Sequence, residues 1–240
     1  MILIDEYDKP IIEFIGESTA LENRNVLKNF YEVMKGCDQH IQFVFLTGVS
    51  KFARVSVFSG LNNLRDITLS KEFATITGYT EPELLSYFDP YLEITANELR
   101  VDKQHLIKKV KEWYNGYSWD GKHFVYNHYS ILSILTNKQL SNYWFASGTP
   151  TFLIKMIKEH DFNIEHFEQY ETDESIFDTY DIDRMNIPAL LFQTGYLTIK
   201  VIEEMDVALR NYILSYPNLE VKESFLRNIL MDYSQIQTNT

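Results

Sequence analysis

Scarcities in these 240 residues exclude several classes of protein at once. Cysteine occurs once, as Cys37, so the sequence holds no internal disulfide and no cysteine-rich zinc site. Long hydrophobic runs are missing: none approaches the roughly 18 apolar residues that suggest a membrane-spanning helix. The N-terminus is acidic and lacks the basic-then-apolar order of a cleavable signal, which makes the cytoplasm the default expectation and gives no membrane partner. Basic residues are short as well, 22 Lys and Arg against 34 Asp and Glu, for a net charge of −12. Phosphate-backbone binding is driven by cations displacing counterions, so nucleic-acid binding over the whole surface is expected to be weak or indirect. Repeats and low-complexity tracts are absent too. What remains is an ordinary globular balance, 45% apolar and 23% charged, in a chain long enough for one large domain or two modest ones.

The stretch around which the rest is organised is Met1-Ile-Leu-Ile-Asp5-Glu6-Tyr-Asp-Lys-Pro10. A short continuous apolar run suits a strand buried on both faces of a parallel sheet. Asp5 and Glu6 then emerge at its carboxyl end, where open α/β sheets place their ligands. Hydrophobic strand followed by Asp-Glu is the pattern of a Walker B motif, whose acids hold Mg²⁺ and position attacking water. The bland alternative is a strand end carrying two surface acids.

Periodicity predicts an amphipathic helix over about 19–35, ended by Gly36, and a second strand over Ile41–Leu46. Strand, helix, strand favours a parallel pair joined by a right-handed crossover. Thr47 leaves the second strand on the same edge as Asp5, where a hydroxyl suits a sensor of phosphate or water; a simple Thr-Gly turn is the competing reading. Ile67–Leu69 reads as a third strand. Thr80-x-x-Glu83 matches a capping box, and Val101–Trp113 reads as a helix whose Lys103, Lys108, Lys109 and Lys111 form a solvated face, with a phosphate-binding role as the lesser alternative. Further helices are expected at about 129–136, 148–160, 187–192 and 219–233. A hairpin of Gly195–Ile202 with Ala208–Leu214 follows the helix at 187–192 in the manner of a winged helix. Acidic, weakly periodic residues 161–183 make the best subdomain boundary.

One motif misleads. Gly116 to Lys122 fits the G-x-x-x-x-G-K spacing of a P-loop. Position 123 is His instead of the Ser or Thr that binds Mg²⁺, a helix precedes where a strand belongs, and a strand-like segment follows where a helix N-terminus must hold the phosphates. The segment is therefore read as a turn. His123 and His128, five apart with no third ligand nearby, do not make a metal site.

Taken together, Ile2–Ile11, Leu46-Thr-Gly-Val-Ser-Lys-Phe52, Leu61–Thr68, Trp113-Tyr-Asn-Gly-Tyr117, Phe145–Pro150, Gln193–Thr198 and Tyr216-Pro-Asn218 resemble the AAA-ATPase-like proteins often fused to a PD-(D/E)XK nuclease-like domain. The resemblance runs along nearly the whole chain. It implies an α/β fold: a partial P-loop, AAA-like parallel sheet (1–80), a helical lid-like region (81–183) and a winged-helix-like unit with a terminal helix (184–240). It implies ATP and Mg²⁺ as ligands, Asp5 as the Mg²⁺-side acid acting through water, Glu6 as the water-polarising base, and Thr47 or Ser50 as sensor, with Lys51 or Arg54 in reach of phosphate. Members typically carry a P-loop upstream of Walker B and a nuclease-like domain downstream. This sequence opens on the Walker B strand itself, so the expectation is a fragment, inactive alone, whose partner is an upstream P-loop-bearing segment or chain. The alternative is a non-catalytic interaction module built on a degenerate ATPase remnant.

Overall fold

A computed structural model describes residues 1–14, 17–49, 64–146, 167–177, 186–206 and 209–237. They fall into two units, neither continuous in sequence: Met1–Asp66 with Glu174–Thr194, and Ile67–Asp173 with Gly195–Thr240. The architecture is mixed, with helices around small sheets.

In the first unit, strands β1 (Ile2–Ile4) and β2 (Val44–Leu46) pair in parallel, with Ile2 opposite Val44 and Ile4 opposite Leu46. The expected parallel pair and its helical connection are thus present, but β1 is not buried on both faces, since Leu3 is 61% exposed, and β2 is shorter than the expected Ile41–Leu46. Among the described residues this sheet has two strands. Pro10 lies in the first turn of the short helix α1 (Lys9–Ile12), where its missing N–H costs nothing. Helix α2 (Ser18–Gly36) turns Ala20, Tyr31 and Met34 inward at helical spacing. Helix α8 (Ile187–Gln193, numbered in chain order with those below) starts on Asn186, whose side chain accepts from the Ala189 amide at 3.3 Å. Its residues Ile187 to Phe192 are all buried, and Phe192 meets Phe177 edge-on at 4.9 Å.

The second unit is largely helical. Helix α3 (Glu81–Tyr87) begins with the full capping box: Thr80 receives the Glu83 amide while the Glu83 carboxylate receives the Thr80 amide at 2.8 Å. Helices α4 (Asp89–Leu99), α5 (Lys103–Tyr114) and α6 (His128–Asn137) follow. Leu84, Leu92, Leu106, Val110, Tyr114, Ile131 and Ile134 close a core between them. The short helix α7 (Tyr143–Ala146) follows, and strands β5 (Tyr170–Thr172), β6 (Thr198–Asp206) and β7 (Leu209–Ser215) form an antiparallel sheet with β7 central. Helix α9 (Leu219–Gln237) closes the chain.

Residues 67–69, expected as a strand, are irregular and turn-like; they find no ladder partner among the described residues, and three β-formers without a partner do not make a strand. The P-loop look-alike is an antiparallel hairpin, β3 (Asn115–Tyr117) with β4 (Val125–Tyr126). Its turn amides are already occupied: Asp120 accepts from the amides of Lys122 at 2.9 Å and His123 at 2.8 Å, and Ser118 Oγ accepts from Gly121 at 3.0 Å. A carboxylate sits where a phosphate would have to go. The helix expected over 148–160 lies outside the described residues.

Candidate functional site

Parallel pairing of β1 with β2 brings two residues 42 apart to one edge. The ladder continues past the strands, with the Thr47 amide donating to Ile4 O and the Tyr7 amide donating to Thr47 O, both at 2.9 Å. Asp5 and Thr47 therefore leave their strands side by side, and the Thr47 hydroxyl donates to Asp5 Oδ1. The Glu6 amide donates to the same oxygen at 3.0 Å. Asp5 and Thr47, singled out in the sequence, do meet. Ser50, Lys51 and Arg54 lie outside the described residues.

Glu6 adopts φ 50°, in the left-handed region where a non-glycine residue is uncommon and held by its surroundings. Its carboxylate reaches Lys9, with Nζ to Oε2 at 3.1 Å. That bond raises the Lys9 ammonium above its ordinary pKa. Both side chains are more than half exposed, so the pair is weak and opens readily.

Sequence reasoning passed over Asp8. It is completely buried, and its Oδ1 accepts from the Val49 amide at 3.1 Å. Gly48 makes the approach possible: a Cβ there would lie 2.5 Å from the Tyr7 ring and 2.6 Å from Asp8 Oδ1. The available signal was an aspartate directly before Lys-Pro, which reads locally as a helix cap.

The donor set can be matched to a metal. Among the described residues no three or more His, Cys, Asp or Glu converge on one point. One carboxylate backed by a hydroxyl suits Mg²⁺, which keeps several waters and takes one or two carboxylates plus substrate phosphates. The residues present fit an ion held largely by water and phosphate, and do not fit a metal caged by protein alone.

The lysine face of α5 is engaged elsewhere. Lys103 meets Asp89 at 2.6 Å and Glu93 at 3.2 Å, Lys109 meets Glu112 at 2.8 Å, and Lys111 meets Glu81 at 2.7 Å. In the second unit Asp120 and Glu220 are buried, and Lys200 is half-buried. Glu220 accepts from Ser130 Oγ and from the Trp144 amide, each at 2.8 Å, and burial raises its pKa. Lys200 donates to Pro217 O at 2.9 Å, and burial lowers its pKa to about 8. A cavity of about 350 Å³ is lined by residues that include Glu112, Glu168, Tyr216, Asn218 and Lys222.

The Asp5–Thr47 edge lies in a segment that is similar to a known family. Residues 1–58 match the family described as Predicted AAA-ATPase. The matched segment carries β1, α1, α2 and β2 and extends beyond Thr47. Over 234 residues the chain is 38% identical to a protein of Azotobacter chroococcum mcd 1 named "Uncharacterized protein in vnfD 5'region". That alignment takes in 97% of this chain and 43% of the relative, so the chain spans less than half the length of the curated relative it matches. No solved structure matches. Among the described residues no helix is long and apolar enough to cross a membrane.

Proposed function

We propose that Asp5, Glu6 and Thr47 are the Walker B and sensor groups of an Mg²⁺-dependent ATP site whose phosphate-binding loop is supplied from outside these 240 residues. The observation that carries the reading is the hydroxyl of Thr47 bonded to Asp5 at the carboxyl edge of a parallel strand pair, inside the AAA-ATPase-like segment. In such a site Asp5 would hold Mg²⁺ through water, and Glu6, released from Lys9, would take a proton from the attacking water. Thr47 would present its hydroxyl to the terminal phosphate from beside Asp5. Mg²⁺ supplies charge neutralisation at the phosphate oxygens. The amides that cradle the β- and γ-phosphates are not offered by the 116–122 hairpin, whose turn is filled by Asp120.

The full-length context is read the same way: a P-loop-bearing segment or chain as partner, a nuclease-like domain as a further one, and the β6–β7 hairpin with α9 as part of a winged-helix-like unit. A second reading is a non-catalytic interaction module built on a degenerate ATPase remnant.

The test is MgATP turnover and binding, by residues 1–240 alone and by the same chain joined to a strand, G-x-x-x-x-G-K-[ST] and helix segment taken from its own genomic frame or a co-purifying chain. The expected result is negligible turnover alone, turnover when joined, and its loss with ATP binding retained in Glu6→Gln. Robust hydrolysis by 1–240 alone, lost in Glu6→Gln, overturns the need for an outside loop. Turnover in the joined protein that survives Asp5→Asn overturns the site itself, and no turnover at all favours the interaction module.

A further inference from the structure

Asp8 stands at the N-cap of α1, yet its side chain makes no capping hydrogen bond. An N-cap aspartate ordinarily accepts from the second or third amide of its own helix. Here the second helical residue is Pro10, which has no N–H, and the Ile11 amide is taken by the Asp8 carbonyl at 2.9 Å. The carboxylate instead makes a long-range bond, accepting from the Val49 amide across 41 residues of sequence, two residues beyond Thr47. Burying a carboxylate completely is costly unless it is bonded, so a fully buried Asp8 must be held by contacts of this kind. Gly48 lets the contact close, because any side chain there would strike both Asp8 and the Tyr7 ring.

Two sets of bonds thus bracket Thr47. Its own main chain is tied to the β1 side through Ile4 and Tyr7; after it, the loop is tied down through Val49 to Asp8. A residue held on both sides has little freedom to carry its hydroxyl away from Asp5. Tyr31, buried on α2, has its phenol pKa pushed up to about 12, by burial first and by the charge of Asp8 second, so the carboxylate stands near a phenol that stays neutral.

We infer that Asp8 is a positioning residue: its buried carboxylate holds the Gly48–Val49 turn so that the Thr47 hydroxyl stays within reach of Asp5. The inference rests on the proposed Mg²⁺ and phosphate role of Asp5 and Thr47, but its geometry can be tested apart from that role. The experiment is backbone-amide NMR of residues 1–240, with hydrogen exchange and with Mn²⁺ alone as a paramagnetic probe, on wild type, Asp8→Ala, Asp8→Asn and Asp5→Asn. In Asp8→Ala the Val49 amide should exchange about tenfold faster, with Thr47 and Tyr7 following, while amides of α5 in the second unit keep wild-type rates. Asp8→Asn retains an acceptor oxygen and should restore most of the protection, which a mere loss of packing would not explain. Mn²⁺ should broaden Asp5, Glu6 and Thr47 together in wild type and broaden none of them in Asp5→Asn. Val49 and Thr47 amides that keep wild-type exchange in Asp8→Ala overturn the inference, and so does protection that Asp8→Asn fails to restore. Broadening that persists in Asp5→Asn, or is absent in wild type, overturns the metal role of Asp5 instead and leaves the exchange result to decide on Asp8.

Discussion

Glu220 shows how a single buried acid ties three helices and makes the second unit sensitive to pH. It belongs to the first turn of α9, bonds a hydroxyl of α6 and accepts an amide of α7, and it has no accessible surface. Burial disfavours the charged form and raises its pKa above the ordinary 4.5; the hydrogen bonds work against that rise without reversing it. A raised folded pKa means the folded state holds the proton more tightly than the unfolded chain does. The contribution to stability is therefore complete below about pH 4.5 and falls as pH climbs through the raised value. Glu220→Gln cannot titrate, so its melting temperature relative to wild type should rise steadily from pH 4 to pH 7, as read by circular dichroism across a buffer series. A difference that stays flat over that range contradicts the argument. Gly48 gives a second residue-level expectation. Its φ is ordinary, so the penalty of Gly48→Ala is steric alone: the new methyl meets the Tyr7 ring and Asp8 inside normal contact distance. Overpacking of this kind costs about 1–3 kcal/mol. Chemical denaturation should show the loss in the first unit, with the Val49 amide among the first to exchange.

Elements were legible where a local rule decided them. The capping box at Thr80, the period of α2 and α5, and the apolar run of β2 each sit within one stretch of chain, and each element formed close to where the pattern put it. The start of α5 moved from Val101 to Lys103 because Asp102 caps it, accepting from the amides of Gln104 at 2.8 Å and His105 at 3.2 Å. Removing that cap in Asp102→Ala should cost about 0.5–2 kcal/mol, and urea unfolding followed by circular dichroism checks it. Where a long-range partner decided the outcome, local pattern carried no sign of it. Ile67–Leu69 has strand composition, but no ladder partner lies beside it among the described residues. Asp8 looks like a helix cap until β1 and β2 pair and bring Val49 to it. The Asp5–Thr47 contact was half legible: hydrophobic runs placed both residues at strand ends, and the shared edge followed only once the pairing was parallel.

For the whole molecule the decisive point is that chain order and spatial order differ. The acidic, weakly periodic stretch before residue 184 reads as a boundary, because charge and missing periodicity are what a linker shows. A division between units does fall inside that stretch, between Asp173 and Glu174, but beyond it the chain runs back into the first unit: Glu174–Thr194 belongs with Met1–Asp66, and the second unit resumes at Gly195. The returning segment is no surface strap, since Ile187, Ala189, Leu190 and Leu191 are each at most 4% exposed and Phe177 and Phe192 meet edge-on within it. Burying one large apolar side chain contributes about 1.5–3 kcal/mol, so losing several removes as much as a small domain's whole net stability. Residues 1–66 expressed alone should therefore lack a cooperative thermal transition, although they contain Asp5, Glu6 and Thr47. A chain joining 1–66 to 174–194 through a flexible Gly-Ser linker should regain that transition. Calorimetry on the two polypeptides checks the pair of expectations. Cooperative melting of residues 1–66 by themselves contradicts the first, and failure of the joined chain contradicts the second. Either result bears on function, because the Asp5–Thr47 edge can be studied in isolation only if a portion of chain from beyond residue 173 travels with it.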